Sequence, residues 1–238
     1  MPIPNVVHFV FGLKPQEEEF LFVYYLAVYS CFLLNAPDCI YFHHHHVPRG
    51  PWWDALVRLP AVRLCRIPVP PRIGRKPIRK TAHRADAVRM RVLHEIGGVY
   101  LDIDTICVRP WRHLLADNDV VLGLEGEPDG ICNAIMMARP RSPFFTAWRD
   151  QYEQHFEPDG WREASIVLPE PIAKRHPEWA TVLPPAAFFL PSYTEVDRIF
   201  VTDHPVPPDL VALHLWETFA LPHMRQVTGW AWADRHPR

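Results

Sequence analysis

The segment TAHRADAVRMRVLHEIGGVYLDIDT, residues 81–105, decides how this chain is read. Ala82, Ala85, Val88, Val92, Leu93 and Ile96 recur at a period of 3.6, which predicts a helix over Thr81–Ile96 with Thr81 as its N-cap. Gly97 and Gly98 supply the stop. Val99 to Ile103 then reads as an apolar strand, with Asp102 and Asp104 at its carboxyl end. In extended chain, residues i and i+2 point the same way, with Cα atoms about 6.5–7 Å apart. Two carboxylates so placed repel unless a proton or a cation lies between them. A hard divalent ion answers that need and keeps positions for water or phosphate oxygens. The carboxyl end of a strand is also where open α/β sheets bind ligands. Asp86 and Arg89 lie three residues apart on the preceding helix and, taken alone, read as an ion pair on one face.

Working outward, the first part of the chain alternates strand and helix. Asn5–Phe11 (NVVHFVF) reads as a buried strand ending at Gly12. Glu17–Leu34 reads as a helix stopped by Asn35-Ala36-Pro37, and its three leading glutamates suit a helix N-terminus. Cys39–His43 and Val62–Ile67 read as strands and Pro51–Leu59 as a short helix between them, with residues 68–77 as a loop. Further on, Asp119–Leu124 and Ile131–Met137 look like strands and Pro143–Phe156 like a helix. The Pro-rich stretch 169–191 suggests short strands, and Val211–Trp216 is a final strand-like run. Strict alternation there would put His214 and Trp216 on one face. Strand–helix–strand order predicts an α/β protein with a mixed, mostly parallel sheet flanked by helices.

Composition excludes several classes. Hydrophobic residues are 48% and charged residues 22%, so the chain can bury a core and is neither disordered nor fibrous. A net charge of −2 gives no bulk attraction for nucleic acid. The basic stretch Arg72, Arg75, Lys76, Arg79, Lys80 and Arg84 lacks interleaved aromatics, so a nucleic-acid or acidic-surface module is a minor reading. Five cysteines with no C-x-x-C pair argue against a disulfide framework and for a reducing compartment. The most apolar run, Phe20–Leu34, falls short of the roughly 20 residues a bilayer span needs. A soluble, cytoplasmic protein is expected, with peripheral membrane contact as a second reading. The run His43–His46 follows a strand, so at most two of the four rings can share a side. It reads as a polar strand end near the surface, ahead of substrate contact or metal binding.

The block His83–Thr105 resembles the D-x-D region of the family 32-like sugar transferases. That group includes yeast-type initiating mannosyltransferases, α1,4-galactosyl and α1,4-N-acetylglucosaminyl transferases, and the glycosylating domains of clostridial toxins. Weaker agreement extends to Val6–Gly12, Asn133–Met137 and Ala212–Trp216. The resemblance implies a GT-A fold, a divalent ion (Mn²⁺ or Mg²⁺), a UDP- or GDP-sugar donor, and transfer with retention of configuration. It implies one domain over 1–238, with 1–105 as the nucleotide-sugar half and 106–238 as the acceptor and site-closing half. Asp102, Asp104 and His214 would hold the metal, Asp102 also touching the donor, with Trp216 packed beside His214. Asp86 would accept hydrogen bonds from the donor sugar, Arg89 would contact the sugar or a phosphate oxygen, and Asn133 would lie near the transferred sugar. Phe9 and Phe11 would flank the nucleotide base. The acceptor would be a glycan or a lipid-linked saccharide, and the absence of an anchor suggests bacterial surface polysaccharide synthesis. Two departures stand out: Glu217 where relatives often carry Asn, and Leu168-Pro-Glu-Pro171 where they often carry Thr-Gly-Pro.

A second function class uses the same carboxylates. A metal-dependent phosphodiester or nucleotide hydrolase would need more of them, and Glu125, Glu127 and Asp129 are available nearby in sequence.

Overall fold

The computed structural model describes residues 2–126, 130–202 and 205–231. The first apolar run forms strand β1, Val6–Val10, followed by helix α1, Phe22–Asn35, β2, Cys39–His44, α2, Pro51–Leu56, and β3, Val62–Arg66. A small hairpin, β4 Arg72–Ile73 and β5 Lys76–Pro77, precedes helix α3, Thr81–Glu95, and strand β6, Gly98–Leu101. Then come β7 Thr105–Cys107, α4 Arg112–Asp117, the antiparallel pair β8 Val120–Gly126 and β9 Gly130–Ala138, and α5 Pro143–His155. The last part holds α6 Pro169–Arg175, β10 Thr181–Leu183, α7 Asp197–Phe200, β11 Ala212–His214 and α8 Glu217–Met224.

Seven strands form one sheet in the order β10-β8-β9-β6-β1-β2-β3. Strand β9 runs against both its neighbours and the other pairs are parallel, giving the mixed, mostly parallel sheet expected from the sequence. Both faces are covered. Val7, Phe9, Val99 and Leu101 pack with α1 on one side, whereas Val10 and Tyr100 pack with α3 and α5 on the other. Burial on both faces is why these strands read as continuous apolar runs. Gly98 opens β6 at φ +101°, and a Cβ there would stand 2.4 Å from the Val6 carbonyl oxygen. Glycine therefore lets β6 close against β1.

The structure moves several boundaries. Helix α1 begins at Phe22, so Glu17, Glu18 and Glu19 lie ahead of it and none occupies its first turn. The Phe20 amide donates to the Arg49 carbonyl at 2.8 Å, which holds this approach segment against the start of α2. Thr81 is the first residue inside α3 and Lys80 is its cap, with no side-chain cap bond. Loop 68–77 contains the β4–β5 hairpin. In the Pro-rich stretch, Pro169 starts helix α6, since a first-turn proline gives up no needed N–H. Strand β2 runs to His44, and both His43 and His44 are buried rather than forming a surface strand end. The basic stretch is tied inward: Lys76 Nζ donates to the Phe156 carbonyl and Lys80 Nζ to that of Gly160, each at 2.6 Å, and Arg79 pairs with Asp159. No helix among the described residues is long and apolar enough to cross a membrane.

A polar contact inside the sheet fixes the approach to β6. His8, on β1, is fully buried, and its Nε2 lies 2.9 Å from the carbonyl oxygen of Gly97. That nitrogen must carry the proton, so the Nδ1 of the neutral ring accepts from His43 Nε2 at 3.0 Å. Protonating either ring would turn this acceptor into a donor facing a donor or charge a buried group. Burial accordingly lowers His8 to about 4 and His43 to about 3. Both folded values lie below the unfolded value of ~6.5, so the unfolded chain takes up protons first as pH falls. Stability is complete above that value and declines by up to about 1.4 kcal/mol per pH unit for each histidine. Urea midpoints are expected to fall from pH 7 to pH 5, and His43→Leu should flatten that slope. An unchanged slope in the variant would remove the pair from this role.

Candidate active site

The D-x-D pair is presented by a turn rather than by a strand. Strand β6 ends at Leu101, and the Thr105 amide donates to the Asp102 carbonyl at 3.1 Å, closing the turn that leads into β7. Strand β7 pairs antiparallel with β11, in a register that sets His214 opposite Thr105. This short ladder brings the end of the chain to the aspartates. His214 Nε2 lies 3.3 Å from Asp104 Oδ1 and 4.0 Å from Asp102 Oδ2. Immediately afterwards Trp216 takes a left-handed conformation, φ +61°, and starts α8. Its ring centroid is 4.4 Å from that of His214. The two residues meet as expected, but through this turn, because β11 stops at His214. The Glu217 amide at the head of α8 donates to Asp104 Oδ2 at 2.7 Å, a carboxylate on a helix N-terminus.

Asp102 is braced from the other side. Arg89 Nη2 lies 2.9 Å from Asp102 Oδ1, and the Tyr100 hydroxyl donates to the same oxygen at 2.6 Å. The guanidinium also reaches the Asn133 carbonyl at 2.8 Å and lies 3.4 Å from Asp86 Oδ1. Asn133 Nδ2 donates to that Asp86 oxygen at 2.8 Å. The buried Arg89 therefore gives its Nη donors to Asp102 and Asn133 and turns its Nε side toward Asp86, where the resemblance implied contact with sugar or phosphate. Burial pushes Asp102 above the usual carboxylate range, with Arg89 opposing. Burial also acts upward on Asp104, but His214 and the Glu217 amide outweigh it and hold that carboxyl low. For His214, burial is outweighed by Asp104 and Asp102, which raise the imidazole.

Asp86, Arg89, Asp102, Asp104, Asn133, His214 and Trp216 all line one cleft of about 740 Å³. Phe11, just past β1, lines it too. Phe9 does not: it is fully buried in the core under α1, two residues deeper in the strand. Sequence reading missed Glu217 as a site group and noted it only as a departure. It lines the cleft, takes a 2.6 Å bond from the Tyr24 hydroxyl, and is pushed up to about 7 by burial and by Asp104. Tyr24 sits in the apolar run of α1 and carried no signal of this role. Glu125 lines the cleft as well, whereas Glu127 and Asp129 lie outside the described residues.

Asp102, Asp104 and His214 offer three ligand atoms within 4.8 Å of one another, the one such His/Cys/Asp/Glu grouping among the described residues. Two hard oxygens and an imidazole nitrogen suit Mn²⁺, and the oxygens suit Mg²⁺.

Comparison with known proteins agrees with this geometry. Residues 72–121 match the family described as "Glycosyltransferase sugar-binding region containing DXD motif". Glucan organizing enzyme 1 of Cryptococcus neoformans is 36% identical over 246 aligned positions, covering 96% of this chain and 66% of that protein. The chain thus spans just under two thirds of that relative's length. Mannosyl phosphorylinositol ceramide synthase SUR1 of Saccharomyces cerevisiae is 42% identical over 62 residues, 26% of this chain and 16% of that protein. Among solved structures, PaToxG glycosyltransferase superposes with a TM-score of 0.54 at 14% identity, over 96% of this chain and 89% of that one. The apo-form glycosyltransferase GlyE of Streptococcus pneumoniae TIGR4 gives 0.54 at 16% identity, over 89% of this chain and 54% of that one. These structures share the fold.

Removing the Arg89 charge should expose the strain of this cluster. Arg89→Met leaves the buried Asp86 and the partly buried Asp102 without their cation, and the unfolding free energy is expected to drop by about 3 kcal/mol. Chemical denaturation measures it, and a loss well below 1 kcal/mol would show that the network is not holding the site.

Proposed function

The chain belongs with the glycosyltransferases that carry a DXD sugar-binding region, and from that premise we propose that it moves a sugar from a nucleoside-diphosphate donor to a glycan hydroxyl. The observation that carries this reading is the grouping of Asp102, Asp104 and His214 on the wall of one cleft with Asp86 and Asn133. We assign Mn²⁺ or Mg²⁺ to the first three. When bound, such an ion supplies positive charge against a departing diphosphate.

The protein's own groups do the rest. Arg89 and Tyr100 fix the Asp102 carboxylate, and the α8 N-terminus fixes Asp104, so neither has to reorganise when the donor arrives. Asp86, held by Asn133, Arg89 and the Tyr152 hydroxyl, faces the cleft where it can accept from a sugar hydroxyl. Arg89 acts as a positioning residue. Phe11 offers a ring to the base of a UDP- or GDP-sugar. The family resemblance supports retention of configuration and a glycan or lipid-linked acceptor. The 36%-identical relative is fungal and named for glucan organization, which supports polysaccharide synthesis as the setting without tying it to bacteria.

Asp104→Asn keeps an acceptor for the α8 amide and removes the charge. Transfer from a labelled UDP- or GDP-sugar with Mn²⁺ is expected to fall by about 10²–10³-fold, with thermal unfolding nearly unchanged. Retained turnover would exclude Asp104 as a metal ligand. His214→Ala should weaken the thermal shift that Mn²⁺ and UDP or GDP produce together, beyond the lowering of the melting temperature that losing the Asp104 partner causes in their absence. Matching titrations in parent and variant would count against that ligand. Asp86→Asn should cut turnover of the intact donor far more than affinity for the free diphosphate, and equal losses would make Asp86 structural.

A further inference from the structure

We infer that Tyr193 and Phe219 form a stacking platform for a pyranose ring of the acceptor saccharide, an inference that rests on the transferase reading above. Phe219 lies in the first turn of α8 and lines the cleft, yet it is 54% exposed and lies outside the core clusters. Together with Tyr193, which lines the same cleft, it makes a contiguous aromatic patch at the cleft wall, the kind of surface that takes a partner. The ring is not isolated. Tyr193 stacks on it with centroids 5.2 Å apart and planes 26° from parallel. Tyr193 in turn meets Trp216 at 5.7 Å, and Trp216 meets His214 at 4.4 Å. A row of rings thus runs from the D-x-D and His214 grouping out to solvent.

This wall is rigid where it needs to be. Ser192 and Glu195 form a capping box around the turn that carries Tyr193. Trp216 Nε1 donates to the Pro191 carbonyl at 2.9 Å, tying that turn to the head of α8. Asp104 holds α8 itself through the Glu217 amide. The platform is therefore fixed relative to the carboxylates.

Its chemistry fits a sugar ring. A pyranose presents a face of C–H bonds that packs on an aromatic face, while its hydroxyl edge needs polar partners. Glu217 and Thr218, on the same wall, supply them. A nucleotide base would also stack, but Phe11, just past β1 and against Tyr24 with centroids 5.2 Å apart, already provides a ring in the cleft for it. The outer, solvent-facing position of Phe219 suits a ligand that enters and leaves with its chain trailing into water.

The test uses saturation-transfer NMR on the full chain with Mg²⁺ and UDP or GDP. The probes are methyl α-mannopyranoside, methyl β-glucopyranoside, maltose and laminaribiose, with irradiation of the aromatic protons. Transfer to the ring C–H protons of at least one sugar is expected. Phe219→Ala should weaken that sugar's binding by about tenfold, and Phe219→Trp should restore it. The Mn²⁺–nucleotide thermal shift should persist in both variants. The inference is overturned if no sugar receives saturation, if Phe219→Ala changes nothing, or if the variant instead loses saturation of the nucleotide base protons. Failure of the transferase reading shows separately, as a parent protein with no Mn²⁺–nucleotide shift and no donor turnover.

Discussion

Three aspartates, Asp86, Asp102 and Asp104, are crowded at the carboxyl end of one strand, largely out of water. Everything around the cleft answers that crowding. Arg89 lies between Asp86 and Asp102, and His214 lies against Asp104. The free amide at the start of α8 takes the remaining oxygen of Asp104. Carboxylates buried this way are costly unless each is paired, so the helix before β6, the strand β11 and the helix α8 are all bound to the same small region.

That constraint also explains the division of labour among the cations. Arg89 is enclosed between Asp86 and Asp102, so its fixed charge stays with the cluster. His214 faces both aspartates and is raised by them, which makes it the exchangeable partner. A proton on its ring offsets their charge, the place that a divalent ion would take under the proposed reading. The scaffold behind the site is correspondingly stiff. The Gly97–Gly98 pair feeds β6 into the sheet against β1, and the buried His8 bonds to the Gly97 carbonyl.

Much of this was legible in the chain. The 3.6 period of residues 81–96, the glycine stop and the apolar strand before Asp102 placed the aspartates at a strand end, and the structure keeps them there. The turn over Asp102–Thr105 was not legible, because two alternating aspartates read equally as extended chain. Phe9 and Phe11 share a side of β1, yet only Phe11 clears the end of the sheet. Nothing in the run FVF distinguishes them without knowing where the sheet stops. Arg89 looked like an i,i+3 ion pair and is one, but its bonds to Asp102 and Asn133 reach the turn after β6 and the strand β9.

What the sequence by itself determined is what repeats locally: the alternation of strand and helix, the buried periodicities, and the carboxylate pair at the end of β6. These follow from side-chain polarity at spacings of a few residues. The tertiary structure alone decided which distant groups complete the site. Glu217 reaches Asp104 across 113 residues, and His214 arrives through a ladder of three residue pairs between β7 and β11. Such pairing leaves almost no local pattern. It is held by the backbone bonds of the β7–β11 ladder and by pairing carboxylates that are already buried, once the middle of the chain has met its later part, and that meeting is set by the sheet as a whole.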